Sequence, residues 1–162
     1  MGIVVNKPRR TVDVVTDLDA LRECIVAAND INGDDGTKQS KRAGEERRKR
    51  LSSLVSKVDA STLTLRLHGL NSSQWNMVVV RNTSSEAGSM VRDWPTMLGE
   101  AVPSMIESVA WKASGETVEM SSDELRDLVS SLSDTQTMDL ITVVQELNTP
   151  VSLVPKEARD LI

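Results

Sequence analysis

Aromatic residues are nearly absent from the sequence: its 162 residues include three tryptophans but no phenylalanine and no tyrosine. A core of modest size must therefore be built from Val, Leu, Ile, Met and Ala. Seven methionines favour adaptable packing or a surface that accommodates a partner. Cysteine occurs once, as Cys24, which excludes a disulfide within the chain and a metal site made of several thiolates. Such cysteine usage is typical of a reducing compartment.

Long apolar runs are missing as well. No stretch approaches the ~18 apolar residues that a transmembrane helix needs, and Met1–Arg10 lacks the apolar core of a signal peptide. The sequence therefore predicts a soluble protein of the cytoplasm, without a membrane partner.

Basic residues become scarce after residue 59. Residues 1–59 carry 12 basic and 10 acidic side chains, whereas residues 60–162 carry 7 basic and 14 acidic ones, so the net charge of -5 is unevenly spread. An acidic second part argues against a body that binds nucleic acid.

An alternating segment, Thr11–Val15, predicts a short strand. We expect a helix to follow, capped by Thr16 and ending near Asn29. Its larger apolar residues recur at helical spacing, which predicts one buried stripe made of Leu18, Leu21, Ile25 and Ala28.

The next segment, Asp30–Thr37 (DINGDDGT), has some of the residues of a calcium-binding loop. Asp35 stands where such a loop requires glycine for its turn, and Lys41 stands where it requires a bidentate carboxylate. We therefore expect a polar loop without a metal, and we predict no cofactor for the chain.

A second helix is predicted over Lys38–Lys57, and its two halves differ. The first half is a charge run without an apolar stripe, so we expect it to project into solvent. The second half can dock on a core through Leu51, Leu54, Val55 and Val58.

The charge run contains a basic cluster that could hold phosphate groups: Arg47, Arg48, Lys49 and Arg50. Glu45 and Glu46 precede it directly, and no aromatic residue lies nearby to stack on a base. These neighbours favour a solvated helix face over nucleic-acid binding.

The clearest strand is Thr62–His68 (TLTLRLH), which alternates leucines with polar residues. A lone strand leaves backbone groups unpaired, so it needs a partner. The candidates are Thr11–Val15, Glu116–Met120 and a strand from another copy, which would give a homo-oligomer. His68, the only histidine, is expected at the surface on the polar side.

Later helix starts are predicted by capping boxes at Asn71, Ser121 and Ser133. Between them, residues 81–92 (RNTSSEAGSMVR) predict a loop, and residues 113–120 (ASGETVEM) predict a turn with a possible short strand. Pro150 should end the last long helix, with a final turn through Ile162.

A further helix, capped by Asp93, has a regular apolar stripe that runs from Trp94 to Val109. Pro103 interrupts this stripe, and a proline inside a helix costs about 3 kcal/mol. We therefore expect a kink, or two short helices that face the same core.

These elements together predict a mainly α protein. It should be a small helical domain with a short β element near residues 62–68 and a projecting N-terminal charged helix. We divide it into an N-terminal arm, residues 1–50, with a helix, an acidic loop and the basic helix, and a helical domain, residues 51–162.

Residues suited to catalysis do not form a recognisable constellation. With His68 alone, a nucleophile would lack a base, and Cys24 precedes an acidic loop that disfavours a thiolate. Gly33 and Gly36 lie among aspartates that would repel phosphate. The sequence therefore predicts that the protein is not an enzyme.

From about Leu51 onward, the order of short motifs resembles that of the tail assembly chaperones of long-tailed phages and prophages. The similar segments are residues 55–66 (VSKVDASTLTLR), Gln74-Trp75, Asp93-Trp94-Pro95, residues 132–136 (LSDTQ) and residues 148–155 (NTPVSLVP). The first two are similar to the family's strand and to the Trp-bearing helix that follows it. The third is similar to the start of the family's apolar helix, the fourth to its LSDGQW helix start, and the last to its closing stretch. Thr135 and Thr137 stand where that family usually has Gly and Trp.

The resemblance implies a non-catalytic protein that coats the long helical tape measure protein before the tail tube polymerises around it. It would act in the host cytoplasm and be absent from the finished virion. Two alternatives remain: a structural tail or head-completion protein retained in the virion, and a DNA-associated regulator that uses the basic helix.

Methionines and tryptophans are the candidates for binding a partner, because they could line a groove for an amphipathic helix. They are Trp75, Trp94, Met97, Met105, Trp111 and Met138, together with Met90 and Met120. For each of them, a place in the ordinary core is the favoured interpretation.

Overall fold

The computed structural model describes residues 2–33, 41–149 and 154–162. Its elements in chain order are β1 (Arg9–Val15), α1 (Leu18–Asn32), α2 (Lys41–Ala60), β2 (Thr62–His68), α3 (Ser72–Arg81), β3 (Thr83–Glu86), β4 (Ser89–Arg92), α4 (Trp94–Met105), β5 (Ile106–Trp111), α5 (Ser122–Ser130), α6 (Asp134–Asn148) and α7 (Lys156–Arg159). Helices predominate over a small amount of sheet, which confirms the mainly α class in these coarse terms.

An antiparallel sheet in the order β1-β2-β5 forms the floor of the core. Alternation along β2 buries Leu63, Leu65 and Leu67 on one face and leaves Arg66 exposed on the other. The strand predicted over Thr62–His68 is confirmed.

Both edges of β2 carry partners from the same chain. β1 confirms the predicted partner Thr11–Val15, and β5 occupies the other edge. The predicted pairing between copies through Thr62–His68 is therefore wrong, because that strand has no free edge. Glu116–Met120, the other predicted partner, approaches β5 instead, where Thr117 forms an isolated bridge with Ala110.

Helices α4, α5 and α6 supply the rest of the core. The buried residues of α4 are Met97, Leu98, Ala101, Val102 and Met105. Leu125 and Val129 of α5, and Leu140 and Val144 of α6, join the same cluster as the leucines of β2. Burying one large apolar side chain stabilises the fold by about 1.5–3 kcal/mol, so this cluster dominates stability.

Local capping predicted three helix starts correctly. The side chain of Asn71 accepts from the backbone of Gln74 at 2.9 Å, and Gln74 reaches back to Asn71, which completes a capping box. Ser121 and Ser133 are the N-caps of α5 and α6, as predicted, but neither forms the reciprocal bond of a capping box. The predicted stop at Pro150 lies outside the described residues, and α7 provides the expected last turn.

Residues 81–92, predicted as a loop, form a hairpin of β3 and β4. Its turn contains Ala87 at φ 50 and Gly88 at φ 80. Two successive left-handed residues are what a tight hairpin turn of primed type needs. Alanine rarely adopts this conformation, so its sequence signal was weak.

The helix predicted from Trp94 to Val109 ends at Met105, and its last part is strand β5. The predicted split into two helices at Pro103 is therefore wrong: α4 runs two residues past the proline and then stops. Ile106 and Val109 fitted a helical stripe by spacing, but pairing with β2 determines their conformation.

Helix α1 begins at Leu18, and Asp17 rather than Thr16 caps it by accepting from the Ala20 N–H at 3.0 Å. The Thr16 hydroxyl instead donates to the Ser61 carbonyl at 2.7 Å. The helix extends to Asn32, three residues beyond the predicted end.

The buried face of α1 is not the predicted stripe. Ala20 and Ala27 are buried, whereas Leu18 and Ile25 are 36% and 51% exposed. Small alanine side chains let the backbones of α1 and α2 approach closely, and the larger residues are left outside the contact.

Helices α1 and α2 form an antiparallel pair inserted between β1 and β2, which we call the arm. At its base, the Thr16 N–H donates to the Ser61 carbonyl at 2.8 Å. Among the described residues, none from the arm belongs to the main core cluster. The division at residue 50 stays a prediction; that residue lies inside α2, and β1 pairs with β2 in the sheet of the body.

Candidate protein-binding surfaces

Two of the residues predicted to bind a partner lie inside the core. Met97 and Met105 are both 0% exposed within α4. A partner cannot reach them without unfolding of the core, so their prediction as contact residues is wrong.

The three tryptophans are half-buried against the rim of the core. Trp75 lines an open cleft together with Arg92 of β4 and Thr142 of α6. Trp94 begins α4 and Trp111 ends β5. They lie on three separate elements, and their role as anchors stays a prediction.

The remaining methionine candidates differ in exposure. Met138 on α6 is 61% exposed and Met90 on β4 is 73% exposed, whereas Met120 is half-buried and packs against the core. Met138 and Met90 thus remain accessible to a partner.

The basic cluster is exposed along α2: Arg47, Arg48, Lys49 and Arg50. Consecutive helix residues point about 100° apart, so these four side chains spread around the helix instead of forming one stripe. Arg42 and Glu46 also form an ion pair at 3.6 Å in the same segment. The arrangement does not favour a continuous surface for phosphates.

Ion pairs cover the outer face of the sheet. Glu107 binds Arg9 at 2.6 Å and Arg66 at 3.2 Å. Lys112 binds Asp13 at 2.7 Å, and the Thr64 hydroxyl donates to the same carboxylate at 2.8 Å. These contacts connect side chains from all three strands.

These contacts shift several pKa values in the directions expected for ion pairs. The hydrogen bond from Arg9 holds the pKa of Glu107 below its ordinary value. The hydrogen bond from Lys112 lowers the pKa of Asp13 against the opposing effect of burial, and the same bond raises the pKa of Lys112. Stabilised charged forms suit a structural role better than proton transfer near neutral pH.

Glu100 of α4 behaves similarly. Burial raises its pKa, but hydrogen bonds from Asn82 and Arg81 outweigh that effect and leave the pKa lowered. The bonds of Arg81 and Asn82 to Glu100 connect the end of α3 to α4.

His68 lies at the end of β2, with its Nδ1 2.9 Å from the Gly69 carbonyl oxygen. Within residues 2–33, 41–149 and 154–162, no group of three or more His, Cys, Asp or Glu side chains is placed to hold a metal ion. The same ranges contain no helix of the length and apolarity required to traverse a bilayer.

The apolar surface that sequence reasoning missed lies on the arm. Ile25 and Val26 of α1 are 51% and 53% exposed, and Val55 of α2 is 41% exposed. One signal pointed to it: α1 has apolar residues on two faces, and a single partner helix can bury only one of them.

Exposed apolar residues of the arm lie beside half-buried ones along the line where its two helices meet. Leu21 and Ala28 of α1, and Leu51 of α2, are half-buried at the margin of the helix contact. Because the helices are antiparallel, their helical positions put Leu18, Ile25 and Val55 beside these residues on the same side. We call this strip the arm groove: Leu18, Leu21, Ile25, Ala28, Leu51 and Val55.

Comparisons of the chain with protein-family models, with curated proteins and with solved structures found no match in any of the three. The resemblance to tail assembly chaperones therefore stays a prediction.

Proposed function

We propose that the protein is a tail assembly chaperone of long-tailed phages, which binds the tape measure protein and promotes tail tube assembly without catalysing a reaction. The observation that carries the proposal is the arm groove, an apolar strip that stays at the surface after the body has formed its own core. Apolar strips of this kind commonly mark sites where another protein binds.

The size of the groove suits a long client. The groove runs from Leu18 to Ala28 of α1, so it is about 15 Å long. A site of this length covers only a short stretch of a client, and a client with many successive apolar segments can hold one copy at each of them. A long helical tape measure protein is such a client.

The charged groups of the body support a non-catalytic role. The carboxylates of Asp13, Glu100 and Glu107 each hold a cationic partner. The acidic body and the dispersed basic residues of α2 do not favour the DNA-associated regulator. In this proposal the protein acts in the host cytoplasm and leaves before the virion is complete.

Co-expression with the tape measure protein of the same phage tests the proposal. We expect the tape measure protein to co-purify with the chain and its soluble fraction to increase. Ile25→Asp should reduce both effects, whereas Val80→Asp should not, because Val80 is 72% exposed on α3 but lies outside the arm. Failure to co-purify with unchanged tape measure solubility would refute the proposal.

Mass spectrometry of purified particles separates this function from the structural alternative. A chaperone should be absent from finished virions. A fixed copy number in every particle would instead identify a tail or head-completion protein.

A further inference from the structure

We infer that the arm groove binds one amphipathic α-helix whose flanking residues are acidic. For the identity of the client, this inference rests on the proposed function. The shape of the groove and the charges at its rim are properties of the chain itself.

The groove has the form that accepts a helix. In α1, Leu18, Leu21, Ile25 and Ala28 recur at spacings of three and four residues, as in the seam of a coiled coil. The opposite wall is formed by Leu51 and Val55 of α2, one helical turn apart. A third helix laid between them would interdigitate with both rows, as in other helix-in-groove complexes.

Two arginines at the rim favour an acidic occupant, and Glu45 of α2, three residues before Arg48, offsets part of their charge. Arg22 lies between Leu18 and Ile25 on the outer side of α1, and Arg48 lies two turns before Val55 on the same side of α2. Both are exposed, and neither forms an ion pair with another described residue. Glutamates or aspartates beside the apolar stripe of a client helix would face these two arginines.

The charges of the rest of the molecule also favour binding of an acidic helix at the arm groove. Most arginines of the body already hold carboxylates, as Arg9, Arg66 and Arg81 do. Helix α2 carries seven basic and three acidic residues. Asp59, an acidic residue on the groove side, lies at the base of the arm, where its charge helps to raise the pKa of Lys112. An acidic client is therefore repelled by the body and attracted by the arm.

Two labelled synthetic peptides test the inference on the full-length protein. Both are about three heptads long with leucines at the a and d positions, and they differ only in flanks of glutamate or of lysine. Fluorescence anisotropy is measured below the concentration at which the peptides self-associate. We expect the glutamate peptide to bind about tenfold more tightly than the lysine peptide, with a difference that shrinks as salt is added.

Variants locate the peptide. Ile25→Asp and Val55→Asp should each weaken binding of the glutamate peptide about tenfold, while Val80→Asp should leave it unchanged. The double variant Arg22→Glu/Arg48→Glu should reverse the preference and favour the lysine peptide. All substituted side chains are exposed, and equal thermal midpoints would verify that folding is retained.

Three results would overturn the inference: no peptide binding, equal binding of both peptides, or unchanged binding by the groove variants. A dimer of the protein alone that Ile25→Asp dissociates would also overturn it, because the groove would then hold a second copy. Failure of the proposed function is distinguishable. A tape measure protein that co-purifies equally with wild type and Ile25→Asp leaves the function standing and removes the groove. Peptide binding without co-purification would leave the groove standing and remove the proposed function.

Discussion

Arg126 of α5 donates a hydrogen bond from Nε to the carbonyl oxygen of Gly99 in α4 at 3.2 Å. Gly99 lies four residues before Pro103, and its carbonyl would normally accept the N–H that a proline lacks. Arg126 thus supplies the missing donor from a neighbouring helix. This contact explains how α4 accommodates Pro103 until the helix ends at Met105.

We expect Arg126→Ala to destabilise the protein by about 0.5–1 kcal/mol, since it removes one partly exposed hydrogen bond. In a Pro103→Ala background the same change should cost less, because residue 103 then donates to Gly99 itself. Urea unfolding of the four proteins measures the coupling. Asp123→Ala is the control, because it removes only the ion pair of Arg126 with Asp123 at 3.3 Å. Equal costs of Arg126→Ala in both backgrounds would contradict this account.

Asn148 ties the end of α6 to the segment after β2. This buried side chain accepts from the Leu70 N–H at 2.8 Å and donates to the Val144 carbonyl at 2.9 Å. Asn148→Ala should destabilise the fold by about 1–3 kcal/mol, because it leaves a polar backbone group unsatisfied. Hydrogen exchange at the Leu70 amide should accelerate specifically. Thr149→Ala, at the exposed neighbouring position, is the control, and unaltered exchange at Leu70 in Asn148→Ala would count against the contact.

Gly69 has no room for a side chain. A Cβ there would lie 2.6 Å from the Leu147 carbonyl oxygen, which belongs to the backbone of α6 and cannot rotate away. Gly69→Ala should therefore cost about 1–3 kcal/mol through displaced packing. Gly44→Ala, where a Cβ meets nothing within 4 Å, should be neutral or stabilising in helix α2. Similar urea midpoints for the two variants would show that the close approach is not real.

Acid should weaken the sheet through its ion pairs. The pKa values of Asp13 and Glu107 are lowered in the folded protein. Their contribution to stability is therefore present above the ordinary carboxyl pKa of about 4 and is lost as pH falls through the lowered folded values. The pKa of Lys112 is raised in the folded protein, so its contribution to stability is present at neutral pH and is lost at strongly alkaline pH. Thermal midpoints from pH 7 to pH 2 should fall less steeply in Asp13→Asn than in wild type, and identical slopes would argue against the pairing.

Elements with strong local signals could be predicted from the sequence. The N-caps at Asn71, Ser121 and Ser133 are each contained within four residues, so no tertiary contact was needed to recognise them. The strand Thr62–His68 was equally clear from alternation alone. Its need for a partner was also clear, but the sequence left three candidates open, and only the structure identifies Thr11–Val15 and β5 as its neighbours.

Features that depend on distant residues could not be predicted in this way. Ile106 and Val109 satisfied helical spacing, but hydrogen bonds to β2 make that segment a strand. In α1, the distance to α2 determines whether the alanine face or the leucine face is buried between the two helices. For the same reason, the methionines chosen as contacts were partly core residues, while the exposed Ile25 and Val55 were assigned to buried stripes.

The arm leaves and re-enters the body at two residues that face each other, Thr16 and Ser61. An insertion of about two turns in each helix would lengthen the arm by about 11 Å without altering the register of β1 and β2. The length of the arm can therefore change without a change in the pairing of the sheet from which it projects.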